Sequence, residues 1–250
     1  DAASLLTVTP SSTVTPGTHT IVVTALAAAE KISSGAAIED STGTAITSDT
    51  TALGYTADSF TVQGTATTAQ TVSVSSTDSL SNIRDNINAL NTGSNATGVT
   101  ASILKVGTSD YRLILTADDT GLTEGLVNMA GTALDTGNNL AFLKLGDGST
   151  TLQAAADASL NIDSITITRE SNSITDALPG YTLDLLNADA TTTITVATSA
   201  DQTAIKSKIQ SFVDSYNGVM DFINAQMAFD TTTLSGGILA SESLLRSIQS

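Results

Sequence analysis

Short runs that alternate aliphatic with hydroxyl-bearing side chains recur along most of this chain: "GTHTIVVTAL" from Gly17, "DSFTVQG", "QTVSVS", "GVTASIL", "YRLILTA", "SLNIDSITITRE" and "TTTITVATS". A period of two puts every second side chain on one face, so each run predicts a half-buried strand rather than a helix. The 250 residues include no Cys and no Trp, and only 4% are aromatic. Any core must therefore be built from Val, Ile, Leu and Ala, without disulfides or thiolate metal sites. The Thr and Val content favours strands as well.

Residues 1–16, rich in Ser, Thr and Pro, are expected to lead in from a helical leg domain. Residues 17–55 and 151–198 predict one antiparallel β-rich domain, with "LAAAEKI" helix-compatible and residues 33–54 read as weak strands and turns. Between them, residues 56–150 predict an inserted α+β domain of order β-β-α-β-β. Its helix spans about residues 79–91, with Leu80, Ile83, Ile87 and Leu90 on one face, Asp78 as N-cap and Gly93 as C-cap. "DDTGLTEGLVNMAG" reads as a glycine-broken loop, and "NLAFLKLG" as a further strand. In the second β-rich part, Asp163-Ser164 predicts a tight hairpin turn. "SNSITDALPG" predicts one helical turn capped by Asn172 or Ser173 and ended by Pro179 and Gly180.

The period then changes. Residues 201–229 predict one long helix, with Ser199 or Asp201 as N-cap. Ile205, Ile209, Phe212, Tyr216, Val219 and Ile223 are spaced four, three, four, three and four, a heptad seam that Met220 and Met227 widen. Such a stripe needs a partner, and no other stretch predicts a helix of matching length. Residues 199–250 are therefore expected to form a coiled-coil-type leg, with these six residues as a helix-packing or subunit interface. The partner helix is expected from an upstream segment or from another copy. The fold class predicted is mainly β, with an α+β insert and a long C-terminal helix.

Composition and motifs argue against chemistry. A formal net charge of −16 and only nine Lys and Arg leave no basic footprint for nucleic acid or anionic lipid. No apolar run reaches transmembrane length. The single His, His19, lies in an alternating strand, and no Gly-x-Ser-x-Gly elbow accompanies it. Asp118, Asp119, Glu124 and Asp147 sit in ordinary acidic turns that match no calcium loop. No phosphate-binding glycine motif is present, and the Asn95 sequon is the kind that chance supplies in a Thr-rich chain. No catalytic, cofactor or metal residue is expected, and the chain reads as no enzyme. The opening at Asp1, without Met or signal peptide, suggests a piece of something longer.

Ordered along the chain, these motifs form a known pattern. "FTVQGTATTAQTVSVSSTDSLSNIRDNINALNTGSNATGVTASIL…YRLILTADDTG" resembles the IN module of flagellar axial proteins, named for an Ile-Asn pair, here Ile87-Asn88. "GTHTIVVTALAAAEKI", "AAADASLNIDSITITRESNSITDALPGYTLDLL", "KIQSFVDSYNGVMDFI" and "GGILASESLLRSIQ" are similar, in order, to segments of the flagellar filament-cap family. His19 replaces that family's usual Tyr, and Ser164 its usual turn Gly. The resemblance implies an extracellular, homo-oligomeric ring at the tip of the bacterial flagellum that helps flagellin fold and insert. It also implies an export chaperone for a C-terminal region beyond this sequence, mobile termini missing here, and a role in motility. A hook-filament junction protein shares the IN module and is the alternative within the class. A secreted adhesin or carbohydrate-binding β domain is the alternative outside it.

Overall fold

A computed structural model describes residues 2–11, 14–64, 67–227, 229, 230, 232, 235 and 236. The chain forms two compact units, Asp1–Thr198 and Ser199–Ser250. The first contains β1 (Leu6–Pro10), β2 (Gly17–Ala25), β3 (Lys31–Ser34), β4 (Asp58–Gly64), β5 (Gln70–Val74), α1 (Leu80–Ala89), β6 (Val99–Gly107) and β7 (Asp110–Ala117). It continues with β8 (Val127–Ala130), β9 (Ser149–Gln153), β10 (Ala158–Ile162), β11 (Ile165–Arg169), β12 (Ser173–Ile174), β13 (Tyr181–Leu185) and β14 (Ile194–Thr198). Its strand pairs are antiparallel, as the alternating runs require.

Two aliphatic cores fill this unit. One gathers Leu6, Ile21, Val23, Leu160, Ile162, Ile174, Leu183 and Ile194, from the sheets β11-β10-β2-β14 and β1-β13-β12. The expected sharing of one sheet by the Gly17 run and the later strands appears as β2 lying between β10 and β14. Asp163 and Ser164 both have positive φ, 50° and 70°, the signature of a two-residue hairpin turn whose twist suits the strands. Within residues 1–16, expected as the entry segment of a helical leg domain, Leu6–Pro10 is a strand. β1 pairs in register with β13, Leu6 opposite Leu185 and Pro10 opposite Tyr181. Leu6 is buried, and that burial makes the segment a strand of the β domain.

The second core joins α1 to the sheets β5-β4-β8 and β6-β7-β3-β9. Its extent corrects the expected boundaries. Ile32, Ile38, Ile46, Leu53 and Tyr55, all before residue 56, are buried here together with Phe60, Leu113 and Leu143. β3 pairs with β7 and β9 rather than with the outer domain. The insert therefore starts near Glu30. The chain leaves and returns at Ala28 and Ala156, which exchange backbone hydrogen bonds of 2.8 and 3.0 Å. Residues 33–54 gave no periodic signal because single aliphatic side chains, separated by turns, supply their burial.

Local expectations fare unevenly. α1 buries Leu80, Ile83 and Ile87 as its spacing predicts. Its N-cap is Ser79, not Asp78: the Ser79 hydroxyl accepts from the Asn82 N–H, and the Asn82 side chain accepts from the Ser79 N–H at 3.0 Å, a reciprocal capping box. Asp78 instead accepts from the Ser75 N–H. The C-cap is Leu90, and Gly93 opens a separate short 3-10 turn. "DDTGLTEGLVNMAG" contains β8, and the strand expected in "NLAFLKLG" is a 3-10 turn at Ala141–Leu143. Gly121 takes φ +104° with Glu170 packed against it, so any side chain there would meet the outer domain.

"SNSITDALPG" is not a helical turn. Ser173 and Ile174 extend β13's sheet as β12. The Asn172 side chain reaches Ala27 beside the crossing: its Nδ2 donates to the Ala27 carbonyl at 2.9 Å and its Oδ1 accepts from the Ala27 N–H at 2.8 Å. Leu178-Pro179-Gly180-Tyr181 then turns the chain back, with the Tyr181 N–H donating to the Leu178 carbonyl and Gly180 at φ +84°. An amide side chain thus pairs with a peptide group as a neighbouring strand would.

The second unit holds α2 (Gln202–Met227), 26 residues long, capped by Asp201, whose carboxylate accepts from the Ala204 N–H at 2.9 Å. A two-strand pairing of Phe229–Asp230 with Ser235–Gly236 follows. The tail motif read in "GGILASESLLRSIQ" lies outside the described residues from position 237 on.

These cores predict that a chain lacking residues 30–154, with Ala28 and Ala156 bridged by a short glycine linker, unfolds cooperatively by circular dichroism. Deleting residues 56–150 strands five buried side chains and should give a chain that loses that transition or aggregates. Asn172→Ala leaves the Ala27 N–H and carbonyl without partners at a buried residue. It should cost about 1–3 kcal/mol in urea unfolding, with Asn172→Asp recovering only the acceptor. Asp189 gives an acid test. Hydrogen bonds from the Thr191 hydroxyl, the Thr192 hydroxyl and the Thr191 N–H pull its carboxyl from 3.8 down to about 2. The native state thus binds this proton less readily than the unfolded chain does. Its contribution is full above the ordinary carboxylate range and fades as pH falls towards 2. Asp189→Ala should flatten stability between pH 4 and pH 2 in an acid titration read by circular dichroism.

Candidate interaction surface

α2 presents the stripe predicted from its spacing. Of the six residues, Ile205, Ile209, Phe212, Tyr216 and Val219 are exposed by half or more, Phe212 by 72%, while Ile223 is buried at 7%. Val213 and Phe222, beside the seam, are also exposed. The polar side is held locally: Gln210 donates to the Asp214 carboxylate four residues on, and the Ser211 and Ser215 hydroxyls donate to the carbonyls of Ser207 and Ser211. The stripe carries no catalytic chemistry. What it can do is pack.

In the insert, the Ile-Asn pair divides its labour. Ile87 is fully buried. Asn88 points at β6, where its Nδ2 donates to the Ala101 carbonyl at 2.9 Å and its Oδ1 accepts from the Ala101 N–H at 2.7 Å. One turn on, the Asn91 Oδ1 accepts from the Gly98 N–H at 2.8 Å and its Nδ2 donates to Asp118. The amides therefore stitch the helix to the outer edge of β6. Sequence reading picked out Asn88 by name but missed this role, and missed it for Asn172 altogether. The available signal was an Asn inside a helix, a residue that competes with helical backbone and needs a reason to be there.

Of the groups weighed for chemistry, His19 and Asp118 are engaged structurally. His19 Nδ1 lies 2.7 Å from the Asp163 carboxylate, with its ring edge-on to Tyr181. The bond from His19, followed by the Thr20 N–H, holds the Asp163 carboxyl below its usual range. Asp118 accepts from the Thr100 hydroxyl at 2.7 Å. Tyr55, Tyr111 and Tyr181 are buried, so they offer no aromatic platform to a sugar. Among the described residues no helix is long and apolar enough to cross a membrane.

Comparison with known proteins gives this arrangement its context. The model for the flagellar hook-associated protein 2 C-terminus matches residues 155–250, and that for the flagellin hook IN motif matches residues 59–119. Flagellar hook-associated protein 2 of Salmonella typhimurium is 32% identical over 68% of this chain and 37% of its own length. Its counterpart in Escherichia coli O157:H7 is 31% identical over 72% of this chain and 39% of its own. The chain thus spans well under half the length of these two relatives. Among solved structures, the D1-D2-D3 domains of the flagellar cap protein FliD from Escherichia coli superpose with a TM-score of 0.65 at 28% identity. That match covers 98% of this chain and 64% of the other. FliD (HAP2) from Pseudomonas aeruginosa PAO1 gives 0.66 at 26%, covering 91% and 98%. With the IN helix stitched to its sheet and an ordered match through both β domains into α2, this chain belongs to the flagellar hook-associated protein 2 family.

Proposed function

We propose that this chain forms the β-rich body and part of the leg of a bacterial flagellar filament cap. On this reading it works outside the cell at the filament tip as a homo-oligomer and guides exported flagellin into place. An export chaperone would serve regions outside this sequence. The family carries the assignment, and the observation in the molecule that supports a scaffold role is the exposed stripe of α2. Burying one large aliphatic or aromatic side chain is worth about 1.5–3 kcal/mol. A lone helix has little stability of its own to set against several left in water. A second helix, from the same protein or another copy, laid along the stripe makes the coiled-coil leg. The 26 residues give it a reach of about 39 Å.

A hook-filament junction protein accounts for the IN module but not for the match of residues 155–250 to the hook-associated protein 2 C-terminus. The adhesin reading finds no tyrosine platform on the described β domains to support it, since Tyr55, Tyr111 and Tyr181 are buried there.

The test is Phe212→Asp in the full-length protein, expressed in a cell lacking its own cap. The variant should lose filament growth and release unassembled flagellin into the medium. In the present chain it should shift urea unfolding of the β domains by no more than about 0.5 kcal/mol, since the site is exposed. Normal filaments from the variant would overturn the leg assignment.

A further inference from the structure

The sheet β6-β7-β3-β9 ends in two strands, each paired on one side only, and the two open edges differ in a complementary way. The first half of β6 is closed off. The Val99 N–H meets the Thr97 hydroxyl, and both backbone groups of Ala101 are taken by Asn88. The same alternation turns the backbone groups of Ile103 and Lys105 outward, and among the described residues no side chain caps them. This half also exposes Leu104 (48%) and Val106 (60%), with Lys105 between them, its ammonium 5.0 Å from the Tyr111 ring centre.

The opposite edge is acidic. Every residue of β9 is exposed, including Leu152 at the irregularity facing Lys31 and Ile32. A groove of about 410 Å³ runs along β9 and across to β8. Glu30, Asp135 and Asp147 line it, and no Lys or Arg does.

Direction completes the match. The three pairings from β6 to β7, β3 and β9 are all antiparallel, so β6 and β9 run oppositely. Copies set side by side in the same orientation therefore bring β9 of one against β6 of the next as an antiparallel pair. Pairing β6 with β6 would bring two Lys105 ammonium groups close together, and pairing β9 with β9 would bring two acidic grooves together, both unfavourable. We propose that residues 103–106 of one copy add as a strand to β9 of a neighbouring copy. Lys105 then sits among Glu30, Asp135 and Asp147, and Leu104 or Val106 lies near Leu152. The contact is head-to-tail, so it joins copies into a closed ring or an open row rather than a two-fold dimer. The inference deepens the proposed assembly of copies and rests on that reading.

The chain has no Cys, so introduced thiols report cleanly. The double variant Leu104→Cys/Leu152→Cys, at exposed positions that folding does not need, is oxidised and run on a non-reducing gel. Sedimentation of the unmodified chain and of the full-length protein is measured alongside. A ladder beyond dimer from the double variant only is expected. Lys105→Glu should reduce it at least tenfold, and Lys105→Glu/Asp147→Lys should restore it. Equal dimer from Leu104→Cys alone would overturn the proposal in favour of a two-fold contact. Association by sedimentation without a ladder would overturn the sheet-edge contact while leaving assembly intact. No association of either protein at any concentration would overturn both.

Discussion

The crossing at Ala28 and Ala156 is the point on which the rest of the first unit depends. Two chain segments separated by the whole insert meet there as a bonded antiparallel pair. Each core can then close on its own side chains while the backbone passes between them with Ala27, Ala28 and Glu30 paired. Asn172 secures the approach by completing Ala27. Near this point the insert also leans on the outer domain, the Thr120 hydroxyl donating to the Glu170 carbonyl and the Leu122 N–H to Asp157. Because a buried peptide group without a partner costs more than an ordinary hydrogen bond gains, these amides and carboxylates fix the geometry of the junction more than they add stability.

The same device governs the sheet edges. Asn88 and Asn91 occupy the positions that a neighbouring strand would take on β6, leaving only its far half open. An edge strand invites another strand unless it is capped, charged or bent. On this sheet the capping is selective and the charges at the two open edges are of opposite sign. That selectivity is what the proposed pairing of copies would use. α2 shows a second way of leaving surface unsatisfied, with apolar rather than backbone groups exposed.

What the sequence determined by itself was whatever repeats at a fixed period. The alternating runs named nearly all the long strands. The Leu80-Ile83-Ile87 face placed α1, and the four-three spacing from Ile205 placed α2 with its stripe, because side-chain direction follows backbone geometry. The Asp163-Ser164 turn was legible because few conformations join two strands in two residues. Tertiary structure alone decided where the insert begins. Ile38, Ile46, Leu53 and Tyr55 are buried singly, without a period to announce them. It also decided that residues 6–10 join a sheet, that Ser79 rather than Asp78 caps α1, and that Asn172 clips Ala27 instead of starting a helix. In each case the deciding partner lies far along the chain or is a choice between adjacent polar side chains. Local pattern carries no information about which distant backbone group needs a hydrogen bond.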